Sequence, residues 1–264
     1  MKPLFIESVG LAAPGLAGWA ASVPVLRGEQ PYAAQEMNVY QPALLPPNER
    51  RRATAAVRLA FRVCEDAMSR SEFPPAELAG VFASSEADTG ILHRLCTALA
   101  DDARAVSPTD FHNSVHNAAA GYWSIAAGAK LPSVSLSAYD ASFVVGLLEA
   151  TTLAHGDGCK VLLAAYDICP PEPLYATRPL TQPFGVALVL TPQRSTRALA
   201  CVEVAPTPAA ETVMADAALE SLRIGNPAGR ALPLLERLAW REPGDVILPG
   251  TGTQRWRLRV QPCA

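Results

Sequence analysis

Apolar residues recur along this chain in two rhythms, and the alternation between them predicts the architecture. Lys2 to Leu11 reads as an opening strand, and the stretch from there to Pro47, rich in Pro and Gly, reads as irregular. In Ala53 to Ser69 the residues Ala56, Leu59, Ala60, Val63 and Ala67 fall at helical spacing, which predicts an amphipathic helix. Ala79 to Ser85 is a short apolar run ending in small polar residues, as a buried strand opening into a loop requires. Helices are expected at Thr89 to Ala100 and at Val115 to Gly128, the second closed by its glycine. Pro132 to Ser137 predicts a strand, and Ala141 to His155 an almost uncharged helix closed by Gly156 and seated between layers. Cys159 to Tyr166 and Phe184 to Leu190 are apolar throughout, and Leu199 to Val204 is expected to pair with the latter. Strands that are apolar on both faces and alternate with helices give an α/β class, with a mainly parallel sheet covered on both sides.

After Ala205 the pattern changes. Pro206 and Pro208 make a break, helices are expected at about Glu211 to Leu222 and Arg230 to Trp240, and Val246 to Leu248 with Gln254 to Val260 predict a β-ribbon around Pro249-Gly250-Thr251-Gly252-Thr253. The expected organisation is therefore a unit over residues 1–205 and an extension over 206–264 packed on it.

Composition narrows the function classes. With 264 residues and half of them apolar, the chain has ample material for a core, and its 24 prolines punctuate periodic segments instead of forming tracts. The net charge of −3 is spread along the sequence, and the Arg50-Arg51-Arg52 cluster is too small an electrostatic footprint for nucleic acid. Glu149 and Asp157 interrupt the longest apolar region, so no membrane span is expected. Near the start, Glu7, Pro14 and Gly15 break what would be the apolar centre of an export signal. The 6 cysteines, Cys64, Cys96, Cys159, Cys169, Cys201 and Cys263, include no C-x-x-C pair and read as free thiols in a reducing cytoplasm.

Two groups carry candidate chemistry. In Phe111-His112-Asn113-Ser114-Val115-His116-Asn117 the two histidines stand four apart, the spacing of zinc ligands on one helix face. No carboxylate follows at metal-site spacing, and Asn113 and Ser114 are good N-caps that would leave His112 ahead of the helix, so no metal is assigned. The second group, Ser135 to Ser142, is a strand turning sharply into an apolar helix. Enzymes place nucleophiles at such turns because free backbone N–H groups and the helix dipole stabilise an anion. This turn presents Tyr139 and Asp140.

The order and spacing of these groups resemble the N-terminal half of β-ketoacyl-acyl carrier protein synthases, of the thiolase fold. The chain is more closely similar to the short synthase-like proteins that accompany a synthase in aryl polyene and related bacterial pigment pathways. The resemblance runs from Lys2 to Val204. It rests on Phe111 to Gly121 with Ser124, Ile125 and Gly128, on Val134 to Ala150 and on Cys159 to Tyr166; Glu49 to Arg52, Asn226-Pro227-Ala228 and Ala231 to Leu235 match the short subgroup. It implies one βαβαβαββ half of a thiolase-like layered fold with a short C-terminal extension. In a condensing synthase the turn carries the acyl-accepting Cys; here Ser137-Ala138 is followed by Tyr139, whose phenol is a poor acyl acceptor at neutral pH. The synthase's catalytic histidines belong to a second half that this chain lacks in recognisable form. Pro249 stands where one of them would be in a His-Gly-Thr-Gly-Thr loop, and a plain glycine turn accounts for the likeness.

The resemblance implies a non-catalytic subunit of the chain-length-factor type, without cofactor. It would pair with a catalytic β-ketoacyl synthase, meet acyl carrier protein through that complex and shape the acyl tunnel in polyene biosynthesis. Tyr139 and Asp140 then mark the lost nucleophile, and Phe111, His112, Asn113, His116, Asn117, Ser137, Ala138 and Phe143 are expected at the interface or tunnel end. The alternatives are a stand-alone condensing or acyl-transferring enzyme using Cys169 or the His112/His116 pair, and an acyl-binding module without catalysis.

Overall fold

The computed structural model describes residues 2–264, so residue 1 of the expected first unit lies outside the described residues. A nine-stranded sheet runs through the whole chain in the order β4-β3-β5-β6-β1-β7-β9-β8, with the short β2 (Leu16–Ala17) on β1. Its members are β1 (Leu4–Ala13), β3 (Leu78–Ala83), β4 (Ser133–Leu136), β5 (Lys160–Asp167), β6 (Phe184–Thr191), β7 (Ala200–Pro206), β8 (Gly244–Pro249) and β9 (Arg255–Pro262). β3 pairs in parallel with β4 and β5, whereas β5 with β6, β6 with β1, β1 with β7, β7 with β9 and β9 with β8 are antiparallel. The sheet is thus mixed, where the apolar runs predicted a mainly parallel one. An apolar run reports burial on both faces and carries no information on strand direction. The expected pairing of β7 with β6 is also replaced, because β5 and β1 already occupy both edges of β6.

Alternate strand residues feed two cores. Val161, Leu163 and Ala165 of β5 face one core, and Leu162, Ala164 and Tyr166 face the other. The first core is covered by α1 (Trp19–Leu26), α7 (Ser142–Gly156), α9 (Ala217–Ile224) and α10 (Leu232–Trp240), and the second by α3 (Ala55–Met68) and α6 (Ala118–Ala127). The remaining helices are α2 (Pro47–Arg52), α4 (Thr89–Ala100), α5 (Pro108–Asn113) and α8 (Leu174–Thr177). Residues beyond Pro206 therefore supply two strands to the sheet and two helices to the first core. α3 sits so close to β1 that a Cβ on Gly10 would lie 1.9 Å from the Val63 carbonyl oxygen, a contact glycine alone permits.

Two helices depart from the sequence reading. α1 lies in the stretch expected to be irregular; the carboxylate of Asp66, far along the chain, accepts from its first amide, Trp19 N, at 2.8 Å, doing the work of a local cap. The region of the histidines is two helices. Ser107 caps α5, which contains His112 and Asn113, and α6 starts after Asn117 and ends at Gly128 in the left-handed conformation, φ 64°. His112 and His116 share no helix.

Candidate functional site: the elbow at the carboxyl ends of the parallel strands

Three strands, β3, β4 and β5, end side by side, and each hands a polar residue to the same place. Crevices outside the carboxyl ends of parallel strands are where α/β proteins bind ligands. β5 ends in buried Asp167, whose Oδ1 accepts from Ser84 Oγ at 2.9 Å and from Ser85 N at 2.7 Å, holding the loop that leaves β3. Burial pushes the Asp167 carboxyl up to about 7, with these hydrogen bonds pulling the other way. Ser137, leaving β4, donates its hydroxyl to Ser85 O at 2.9 Å, and His116 Nε2 lies 3.0 Å from Ser84 O. Asn226 ties the base together by donating to Asp167 O and Gln182 O while accepting from Ala228 N.

The turn from β4 to α7 has the geometry of a nucleophile elbow. Tyr139 adopts φ 55°, a left-handed conformation that a side chain of its size adopts at a cost, and it is 60% exposed. The turn is locked by Ser142, whose Oγ accepts from Ala138 N and donates to Tyr139 O. The phenol ring of Tyr139 lies under a guanidinium: Arg178 Cζ is 3.6 Å from the ring centroid. Arg178 also contacts Asp140 Oδ1 at 2.8 Å and Glu86 Oε1 at 3.0 Å, and its side chain is 14% exposed. A cation stacked and bridged in this way fixes Tyr139 and Asp140 as a unit.

The other expected residues divide. Phe143 is fully buried in the first core, away from any surface. Asn113 is buried and donates to Thr109 O. His112 and Asn117 line a groove of about 560 Å³ between the Leu44–Pro46 loop and one face of α6, with Val115, Gly121, Tyr122 and Ile125. Phe111 is 69% and Ile125 82% exposed. Cys169 is an exposed residue in the loop after β5, yet its surroundings still push its thiol up, which disfavours the thiolate. No cluster of ligating residues that could hold a metal occurs among the described residues. The Pro249–Gly252 turn, read from sequence as a plain glycine turn, closes the β8–β9 hairpin and lines one cavity with Tyr139.

Sequence reasoning located Tyr139 and Asp140 but missed Arg178, Glu86 and Asp167. Asp167 had a legible signal, a charge ending a strand that is otherwise apolar; Arg178, in a proline-rich loop, had none.

The comparisons with known proteins bear on the family and the fold. No curated protein matches the sequence. Among solved structures, the complex of the ketosynthase ApeO with its chain length factor ApeC from Xenorhabdus doucetiae aligns with a TM-score of 0.74 at 25% identity, over 98% of this chain and 100% of that one. The ishigamide ketosynthase/chain length factor aligns at 0.75 and 14% identity over 100% of both chains. A type II polyketide acyl carrier protein in complex with its ketosynthase aligns at 0.75 and 11% identity over 99% of both. The last two speak for the fold. The chain is structurally similar to subunits of ketosynthase/chain length factor assemblies, and among the described residues no helix is long and apolar enough to cross a membrane. The family model described as beta-ketoacyl synthase, N-terminal domain, matches residues 26–225, and the chain belongs to that family.

Proposed function

We propose that this protein is the non-catalytic, chain-length-factor-type partner of a β-ketoacyl synthase. The reading rests on one observation above all: the elbow is intact in backbone, yet it carries Tyr139 clamped under Arg178 where the acyl acceptor belongs. A phenol held beneath a cation, with no base in hydrogen-bond contact, does not form an acyl-enzyme. The ApeO–ApeC likeness supports the pairing. The synthase subunit would carry out the condensations with an acyl carrier protein docked on the complex, and in this reading the product is a polyene. Residues 206–264 then act as the extension that covers the sheet face a second thiolase half would otherwise cover.

The surface suits such a partner. β4 is an edge strand whose outer side is unpaired, Leu131 just before it is exposed, and α6, which contacts β4, exposes Ile125. The groove over α6 has the volume of a ligand site and walls that are mostly apolar, which fits the far end of an acyl chain. Gly121 sets its depth: a Cβ there meets nothing within 4 Å. Gly121→Leu therefore fills the groove without strain, and loss of a mid-helix glycine favours the fold by about 0.5–1 kcal/mol.

The test is co-expression with a β-ketoacyl synthase from the same genome, mass determination of the complex, and mass spectrometry of its product. A stable one-to-one complex is expected, with Gly121→Leu shortening the product by at least one condensation. A lone monomer, or acylation of this chain at any cysteine, would overturn the reading. The stand-alone alternative finds no support at Cys169, whose thiol is pushed up.

A further inference from the structure

A second cavity, of about 380 Å³, opens on the elbow. Its walls are Ala138 to Ala141, Glu211, Arg230 and the Pro249–Gly252 turn. The three charged groups on it are unequally satisfied. Asp140 is paired with Arg178 at 2.8 Å, and Glu211 is 3.5 Å from Arg223, which also holds Glu220 at 2.7 Å. Arg230 has no carboxylate in ion-pair contact among the described residues. Its hydrogen bonding amounts to Nη2 donating to Ile224 O at 3.5 Å, and its Nε is buried with no partner.

A guanidinium has five N–H donors, so most of this one's capacity is unused. Withdrawing a cation from water without a counter-ion is unfavourable, and a fold keeps such an arrangement where a ligand supplies the missing charge. Burial, and after it the neighbouring Arg223, push the Arg230 pKa down against the opposite pull of Asp140, Glu211 and Glu220, none of which makes an ion-pair contact with it. Tyr139 also lines this cavity, and its side chain carries a further donor, the phenol O–H.

We propose that the elbow cavity is an oxyanion site in which Arg230 binds a small carboxylate or phosphate ligand, with Tyr139 as its second donor. This is independent of the partner reading, since it concerns the free chain. Planar oxyanions match the guanidinium fork in bidentate fashion, which favours carboxylate and phosphate over halide.

The test is thermal melting and calorimetric titration of the full-length protein with malonate, inorganic phosphate, neutral malonamide, and sodium chloride at matched ionic strength. Malonate, phosphate or both raise the melting midpoint beyond the chloride control, while malonamide does not; the anion that acts identifies the source. Arg230→Met weakens that anion at least tenfold, and without ligand it melts no lower than the wild type because a half-buried cation with no direct ion pair is gone. A purely structural arginine gives the opposite sign. Thr251→Trp, placed on the exposed hairpin turn, obstructs the cavity and abolishes binding with the fold unaffected. The proposal is overturned if neither anion exceeds chloride, if Arg230→Met keeps wild-type affinity, or if Thr251→Trp binds as the wild type does.

Discussion

The two ends of the single sheet are finished in opposite ways. At one end β8 and β9 carry Asp245, Arg257 and Arg259, which with Glu203 of β7 form ion pairs of 3.7 to 4.0 Å across the solvent face, while Val246, Leu248, Leu258 and Val260 fill the first core beneath. Charges of this kind blunt an edge against other strands. At the other end β4 consists of Ser133, Val134, Ser135 and Leu136, with no charge and with exposed apolar residues nearby. One end is built to face water alone, and the other is left ready for a neighbouring strand.

The strongest way to break this contrast is to remove a donor from the open end. Gly80 N and Ser84 N donate to Pro132 O and Leu136 O, so by the two-residue period Ser133 and Ser135 present their backbone groups outward. Ser135→Pro deletes an outward N–H and leaves the β3–β4 ladder in place. We expect association with the synthase, measured by sedimentation of the co-expressed pair, to weaken at least about a hundredfold with little change in the melting midpoint. A wild-type complex would mean that β4 is not the joint.

A smaller effect concerns what holds the open end in shape. Asp167 pins the Ser84–Ser85 loop, and burial raises it from an ordinary 3.8 to about 7. Its folded-state pKa lies above its unfolded one, so its contribution to stability is complete below about pH 4 and is lost as pH rises through about 7. Asp167→Asn keeps the accepting oxygen, cannot ionise, and is expected to flatten the fall in melting midpoint between about pH 4 and pH 7, an effect on the order of 1 kcal/mol or more. An unchanged slope would show that the loop is held by other contacts. The smallest effect is expected at the closed end, where Asp245→Ala costs no more than about 0.5 kcal/mol by denaturant titration and leaves complex formation intact, because exposed ion pairs contribute little.

Periodicity made much of this fold legible, and the reasons for its failures are specific. α4 falls on the expected residues, the β8–β9 ribbon forms, and Gly128 closes α6, since each depends on neighbours in the chain. α1 escaped because its cap is Asp66 and because Pro24 inside it reads as a breaker. α5 escaped because the Ser107 and Pro108 start signal was passed over for Asn113 and Ser114. Strand partners escaped because apolar runs do not encode them. At the site, the strand-to-helix turn located Tyr139 and Asp140, whereas the clamp over them depends on Arg178, whose place is set by the path of a loop after β5.

The position of β1 has a consequence for how the molecule comes into being. Residues 4–13 lie between β6, at 184–191, and β7, at 200–206, so the sheet's interior cannot be joined until those strands exist. Pairings between segments so distant in sequence make folding slow compared with a helical protein of similar size, because the chain must lose much of its freedom before the contacts form. A nascent or truncated chain that stops short of Phe184 leaves the β5 edge that β6 would cover unpaired and has nothing to join β5 to β1. For such a chain self-association outcompetes the native sheet, and soluble expression depends on slow synthesis or on chaperones.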